Sequence, residues 1–137
     1  MTRPDWDDYF LGVAEPVSAR GECTRSKVGC VIVRDRRILA TGYNGVAAGQ
    51  PSCLDGACPR GLLTYAEVPP LADYGSGVGK CIARHAEHNA VLDAQNRGID
   101  LAGATAYITR EPCAGCREVL RDAGVTRAVW PGGEFIP

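Results

Sequence analysis

Two short motifs constrain this chain more than any other feature, because each opens a predicted helix with residues that bind metal. The first is His85-Ala86-Glu87, and the second is Pro112-Cys113-Ala114-Gly115-Cys116. A C-x-x-C pair at the start of a helix places two sulfurs on one face, where free N–H groups and the helix dipole stabilise thiolates. Two thiolates and one imidazole are the donors of a catalytic zinc site, with three protein ligands and an open fourth position. The motifs therefore predict that His85, Cys113 and Cys116 bind one catalytic Zn²⁺.

Glu87 has a different predicted role, because it follows His85 by two positions and does not share its i, i+4 face. A carboxylate that does not bind the metal can take a proton from a metal-bound water and return it to a leaving group. We therefore predict that Glu87 is the catalytic acid and base. Taken alone, the C-x-x-C pair is also compatible with a redox pair or half of a structural zinc site. The two motifs in this order form the H-x-E…P-C-x-x-C signature of zinc nucleobase deaminases.

The remaining segments predict a single α/β domain over residues 1–137. Helices are expected over 4–19, 85–97 and 113–123, and strands over 28–33, 37–43, 104–109 and 126–130. Pro4 suits a first helical position, and Pro16 predicts a kink or an early end of the first helix. The first two strands should form an antiparallel hairpin, and the later alternation of helix and strand predicts parallel pairing. The expected sheet is mixed and has helices on both faces.

Composition narrows the class of function. The 137 residues carry a formal net charge of −1, which argues against a dedicated nucleic-acid partner. The N-terminus has no signal-peptide pattern, and no apolar run approaches the ~18 residues of a membrane span. We therefore expect a cytoplasmic protein with no membrane partner. The seven cysteines are then expected to be ligands, nucleophiles or buried thiols, and not disulfides.

Four segments extend the signature to nearly the whole chain: SKVGCVIV, GYNG, HAEHNAV and EPCAGC. In this order they resemble the deoxycytidylate (dCMP) deaminase branch of the zinc-dependent cytidine deaminase superfamily. The resemblance implies a three-layer α/β/α fold around a mixed sheet of four to five strands. It also implies hydrolysis of dCMP to dUMP and ammonia, commonly by a homo-oligomer, with Glu87 moving protons between water, N3 and the departing ammonia. Cys30 departs from the usual small Ala, and the short C-terminus predicts that the fifth strand is short or absent.

The resemblance also suggests residues that bind substrate. Asn44 follows a predicted strand and is expected to hydrogen-bond the sugar, although a turn residue before Gly45 is the alternative. Arg25 and Lys27 precede the first strand, where family members bind substrate, and charge-assisted contacts suit a phosphate. The alternative for these two cations is a solvated pair of charges.

Four further cysteines lie outside the first motif pair, at Cys23, Cys53, Cys58 and Cys81. Four thiolates can form a closed tetrahedral site, and a second, structural Zn²⁺ would order the long segment 45–84. Some phage members of the family carry a second zinc in this region. Unconnected thiols, or two disulfides in an oxidising setting, are the alternatives.

Three other functions remain open from the sequence. The closest is a deaminase of a free nucleoside or base, because Arg117 after Cys116 resembles free cytidine deaminases. A nucleic-acid editor would need a basic surface, which the charge balance disfavours. A zinc-stabilised binding module would have no use for Glu87 beside an open metal position.

Overall fold

The computed structural model describes residues 2–23, 26–47, 49–55 and 84–137. Within these ranges the helices are α1 (Trp6–Ser18), α2 (Ala86–Asn96) and α3 (Ala114–Asp122). The strands are β1 (Gly29–Arg34), β2 (Arg37–Tyr43), β3 (Thr105–Ile108), β4 (Arg127–Trp130) and β5 (Gly133–Phe135), and a 3₁₀ turn spans Cys53–Asp55. None of the helices in these ranges is both long and apolar enough to cross a bilayer.

The five strands form one mixed sheet in the order β2-β1-β3-β4-β5. β1 pairs antiparallel with both β2 and β3, whereas β3 and β4 are parallel. The predicted hairpin of β1 and β2 is confirmed, and its turn residues Asp35 and Arg36 have φ of 53° and 62°. Such left-handed pairs match the twist of a two-residue hairpin.

The parallel pairing expected in the second half is confined to β3 and β4. β5 is present but has only three residues, and it folds back antiparallel on β4. Gly132 in the connecting turn has a φ of 93°, which favours glycine. The short fifth strand expected from the sequence therefore forms a C-terminal hairpin with β4.

Helices cover both faces of the sheet, because the side chains of β1 alternate between them. Val31 and Val33 pack with Phe10 and the α1 side of the molecule. Cys30 and Ile32 belong to a second core with residues of α2 and α3. The three-layer α/β/α architecture is therefore confirmed.

The approach of α2 to β2 is unusually close and depends on Gly42. A Cβ atom at Gly42 would clash with the carbonyl oxygen of Ala86 and the backbone nitrogen of Ala90. Only a residue without a side chain lets the backbone of α2 lie against β2 at this point. Because α2 begins directly after His85, this contact sets the distance of the first motif from the sheet.

The start of α1 differs from the prediction. The helix begins at Trp6 and not at Pro4, because the carboxylate of Asp5 caps it by accepting from the backbone N–H of Asp8 at 2.8 Å. The helix also runs two residues past Pro16, so the predicted early end is wrong. A proline in the last turn forfeits only one helical hydrogen bond, which the packing of α1 outweighs.

One carboxylate fastens α1 to the sheet. Asp7 accepts from the Tyr107 hydroxyl at 2.8 Å and from both terminal nitrogens of Arg127 at 3.0 and 2.7 Å. Hydrogen bonds from Arg127 lower the pKa of Asp7, and burial followed by the Asp7 carboxylate raises the pKa of Tyr107 to about 12. Tyr107 therefore packs on the α1 face.

Candidate active site and metal centre

Both motifs begin their helices in the same way. His85 is the N-cap of α2 with an extended backbone (φ −66°, ψ 154°), and Cys113 is the N-cap of α3 (φ −73°, ψ 169°). N-cap side chains commonly accept a backbone N–H of the first turn, but neither of these side chains does so. The imidazole and the thiol are thus available for another partner.

A metal ion can be that partner, because the donor atoms of the three predicted ligands converge. His85 Nδ1 lies 3.1 Å from Cys116 Sγ and 3.6 Å from Cys113 Sγ. All three donor atoms lie within 4.8 Å of one another. Tetrahedral bonds of usual Zn–N and Zn–S length would separate nitrogen from sulfur by roughly 3.6 Å. The donor set therefore fits Zn²⁺ through Nδ1 of His85.

The site is closed on one side and open on the other. Cys116 is buried in the first turn of α3, His85 is partly buried, and Cys113 is exposed. Burial, the Glu87 carboxylate and the Cys113 sulfur, in that order, raise the pKa of the Cys116 thiol. A divalent cation reverses this preference for the protonated form, because it stabilises a coordinated thiolate.

Glu87 lies at the base of this site and is only 4% exposed. It occupies the first turn of α2, where the helix dipole stabilises a carboxylate. Its charge also raises the pKa of the fully buried Cys30, after the larger effect of burial. In the part of the chain that the structure describes, no lysine or arginine forms a salt bridge with Glu87. The buried carboxylate thus acts on both the Cys116 ligand and the core residue Cys30, and it has no cationic partner among the described residues.

Asn89 joins the end of β2 to the segment before α2, and the sequence motifs did not identify it. Its Nδ2 donates to the carbonyl oxygens of Tyr43 at 2.8 Å and Gly45 at 3.2 Å. Gly45 in turn forms an antiparallel bridge with Arg84, with two hydrogen bonds of 2.9 Å. An asparagine inside a helix, four residues after a metal ligand, was the available signal, because its helix propensity is low.

Asn44 adjoins this bridge and is 8% exposed. Its Oδ1 accepts from the N–H of Val28 at 3.0 Å, and its Nδ2 donates to the carbonyl of Ser26 at 2.7 Å. These bonds hold the segment that precedes β1. An amide nitrogen carries two protons, and within the described part of the chain one of them is bonded, to Ser26.

The predicted phosphate residues lie in or near that segment. Lys27 is exposed, and its Nζ donates to the carbonyl of Gly21 at 3.0 Å. Arg25 lies outside the described residues. Arg110 is a further cation near this segment: it donates to the Ser26 hydroxyl at 3.2 Å and lies three positions before Cys113.

The predicted second metal site is only partly described. Cys23 is buried, and its Sγ accepts from the backbone N–H of Ser26 at 3.3 Å. Cys53 begins the 3₁₀ turn, whereas Cys58 and Cys81 lie outside the described residues. The four-cysteine site therefore stays a prediction.

Comparison with known proteins agrees with this geometry. The family model of the cytidine and deoxycytidylate deaminase zinc-binding region matches residues 4–131. The deoxycytidylate deaminase of Mycobacterium phage D29 is 50% identical over 131 residues, which cover 96% of this chain and 98% of that protein. The deoxycytidylate deaminase of Schizosaccharomyces pombe is 34% identical over 93% of this chain, which spans 37% of that longer relative.

A solved structure shares the fold. The dCMP deaminase of cyanophage S-TIM5, in complex with dCMP and dUMP, has a TM-score of 0.70 at 24% identity. The match covers 95% of this chain and 83% of that chain. Because the family model spans both metal-binding motifs and most of the fold, the chain belongs to the zinc-binding cytidine and deoxycytidylate deaminase family.

Proposed function

We propose that this protein is a zinc-dependent deoxycytidylate deaminase that hydrolyses dCMP to dUMP and ammonia. The observation that carries the proposal is the convergence of His85 Nδ1 and two cysteine sulfurs beside the buried carboxylate of Glu87. The 50% identity to the phage D29 enzyme over nearly all of both chains supports dCMP as the substrate.

The residues divide the chemistry between them. A Zn²⁺ held by His85, Cys113 and Cys116 would act as a Lewis acid that lowers the pKa of a water in the open position. Glu87 accepts a proton from the attacking water and delivers it to N3 of the cytosine ring while the water oxygen bonds to C4. Glu87 then carries the second water proton from the C4 hydroxyl to the exocyclic nitrogen, and the C4–N bond breaks to release ammonia and leave the C4 carbonyl of dUMP. Water and dCMP are thereby converted to dUMP and ammonia with no other reactant.

We further propose that the substrate phosphate lies near the segment before β1. Lys27, Arg25 and Arg110 supply the positive charge, and Asn44 offers its second amide proton to the sugar. Lys27 belongs to this segment and donates to the carbonyl of Gly21, and Arg110 donates to the hydroxyl of Ser26 in the same segment. Cations near a phosphate form charge-assisted hydrogen bonds, which a nucleoside lacking phosphate cannot form.

Steady-state kinetics on dCMP and deoxycytidine test the phosphate site. Arg25→Ala and Lys27→Ala should each raise KM for dCMP far more than KM for deoxycytidine. Arg121→Ala is the matched control, because Arg121 is an exposed arginine in the last turn of α3. Equal activity of the unmutated protein on both substrates would contradict the proposal and favour a nucleoside deaminase. Ammonia release from cytosine, guanine and a tRNA anticodon stem would identify the base and nucleic-acid alternatives.

A structural Zn²⁺ bound by Cys23, Cys53, Cys58 and Cys81 is a second proposal. It is supported by the presence of four cysteines beyond Cys30 and the two predicted ligands, and by the burial of Cys23. Metal analysis should find two zinc ions per chain, falling to one in Cys53→Ser. One zinc in fully loaded protein, with four thiols free to react, would contradict it.

The proposed function also includes an oligomeric state and a cellular location. We expect a cytoplasmic homo-oligomer, because thiolate ligands persist in a reducing compartment and the family commonly assembles from identical chains. Light scattering of the purified protein would measure the oligomeric state.

A further inference from the structure

Arg117 contacts both the backbone that precedes Cys113 and the C-terminal hairpin of β4 and β5. It directly follows Cys116 in α3, and its Nε donates to the carbonyl oxygen of Pro112 at 3.2 Å. Its NH2 group pairs with the Glu111 carboxylate at 3.0 Å. Both acceptors belong to the two residues immediately before Cys113. One guanidinium thus braces the backbone that leads into the second metal motif.

The other side of the same guanidinium is held by the C-terminal hairpin. Its central carbon lies 4.3 Å from the centre of the Phe135 ring and 5.7 Å from that of Trp130. Gly133 lies directly against Trp130, because a Cβ there would approach the indole ring to 2.8 Å. Cations over aromatic faces are attracted by the ring quadrupole, and the planar guanidinium stacks well on such rings. The hairpin therefore restricts Arg117 to the orientation that reaches Pro112 and Glu111.

Cys113 is the predicted ligand that most needs such support. It is exposed and lies at the N-cap of α3, whereas Cys116 is buried within the first turn. It is also the sulfur farther from His85 Nδ1, at 3.6 Å against 3.1 Å. Because Cys113 is the first residue after Glu111 and Pro112, the backbone of these two residues helps to determine where its sulfur points.

We propose that Arg117 is a positioning residue for the metal centre. The rings of Phe135 and Trp130 orient its guanidinium, which fixes the carbonyl of Pro112 and through it the sulfur of Cys113. The β4–β5 hairpin thereby contributes to metal affinity without touching the metal. This inference rests on the proposed role of Cys113 as a ligand, but not on the identity of the substrate.

Zinc affinity and zinc release, measured on the zinc-loaded full chain by chelator competition, test the inference. Arg117→Lys keeps the charge and loses the planar fork, and Phe135→Leu keeps apolar volume and loses the ring face. Each variant should bind zinc about tenfold more weakly and release it faster, as is usual when groups that orient metal ligands are altered. The double variant should lose little more than either single variant, because both act through one contact. Arg121→Lys is the control on the same helix and should match the unmutated protein.

Each outcome is decisive. A loss below about threefold in either single variant, against the ten- to hundredfold usual for such groups, overturns the inference. An equal loss in Arg121→Lys, or fully additive losses in the double variant, also overturns it. Cys113→Ala separates this failure from that of the ligand assignment: full zinc content in Cys113→Ala would overturn the proposed ligands themselves. Loss of zinc in Cys113→Ala with normal binding in Arg117→Lys would overturn only the role of Arg117.

Discussion

Replacing Glu87 by Gln tests the proposed chemistry most directly. The side chain is 4% exposed and lies beside the metal donors, so an amide of nearly the same shape should fit without disturbing the fold. The amide nitrogen cannot accept the proton of the attacking water, and it cannot deliver one to N3 or to the departing ammonia. Since Glu87 is not a predicted ligand, the variant should retain its zinc.

The size of the effect follows from the number of proton transfers that are lost. General acid–base catalysis by one positioned group contributes about 10²- to 10⁴-fold in rate. Glu87 serves two successive transfers, so we expect the upper end of that range, a loss of about 10⁴-fold in kcat. This corresponds to roughly 5.4 kcal/mol of transition-state stabilisation, at 1.36 kcal/mol for each factor of ten.

The assay follows the change in ultraviolet absorbance as dCMP becomes dUMP, with ammonia release as an independent measure. Zinc content and thermal midpoint are determined on the same preparation. Glu118→Gln is the matched control, because Glu118 is an exposed glutamate of α3 and should keep full activity. A Glu87→Gln variant with one bound zinc and activity within about tenfold of the unmutated enzyme would refute the role of Glu87, since that loss is below the usual range.

Three further changes test other parts of the argument. Cys113→Ala should lose the catalytic zinc and all activity, as measured by metal analysis. Gly42→Ala should cost about 1–3 kcal/mol of unfolding free energy and lower kcat, because the added methyl group displaces α2; native stability in a denaturant titration would contradict this. Asp7→Asn should cost about 1 kcal/mol, a modest value because Asp7 is 36% exposed. Arg127 lowers the pKa of Asp7, so this contribution is present above the ordinary pKa of 3.8 and disappears as pH falls through the lower folded-state value. Stability curves of the two proteins should therefore converge in acid.

The sequence was most informative where a function depends on neighbouring residues. The H-x-E and C-x-x-C spacings place donors at helix starts through local geometry, so these motifs predicted the three donors that converge in the structure. The short, continuous apolar run at residues 28–33, rich in β-branched residues, likewise predicted the buried strand β1. The predicted start of the first helix at Pro4 was wrong, because Pro4 and Asp5 both favour a helix start, and only the observed hydrogen bond from the Asp8 N–H to Asp5 selects Asp5 as the cap.

What the sequence determined by itself was the type of chemistry, because residue types and their short spacings define which ligands and which base are available. The tertiary structure decided how these groups meet: His85 and Cys116 are 31 positions apart and come together only through the packing of α2 and α3 on one face of the sheet. It also assigned Asn44 its bonds to Ser26 and Val28, and brought Phe135 onto Arg117. These contacts depend on the strand order and on the reversal of β5, to which many distant residues contribute small free energies. No short sequence pattern predicts the sum of these free energies.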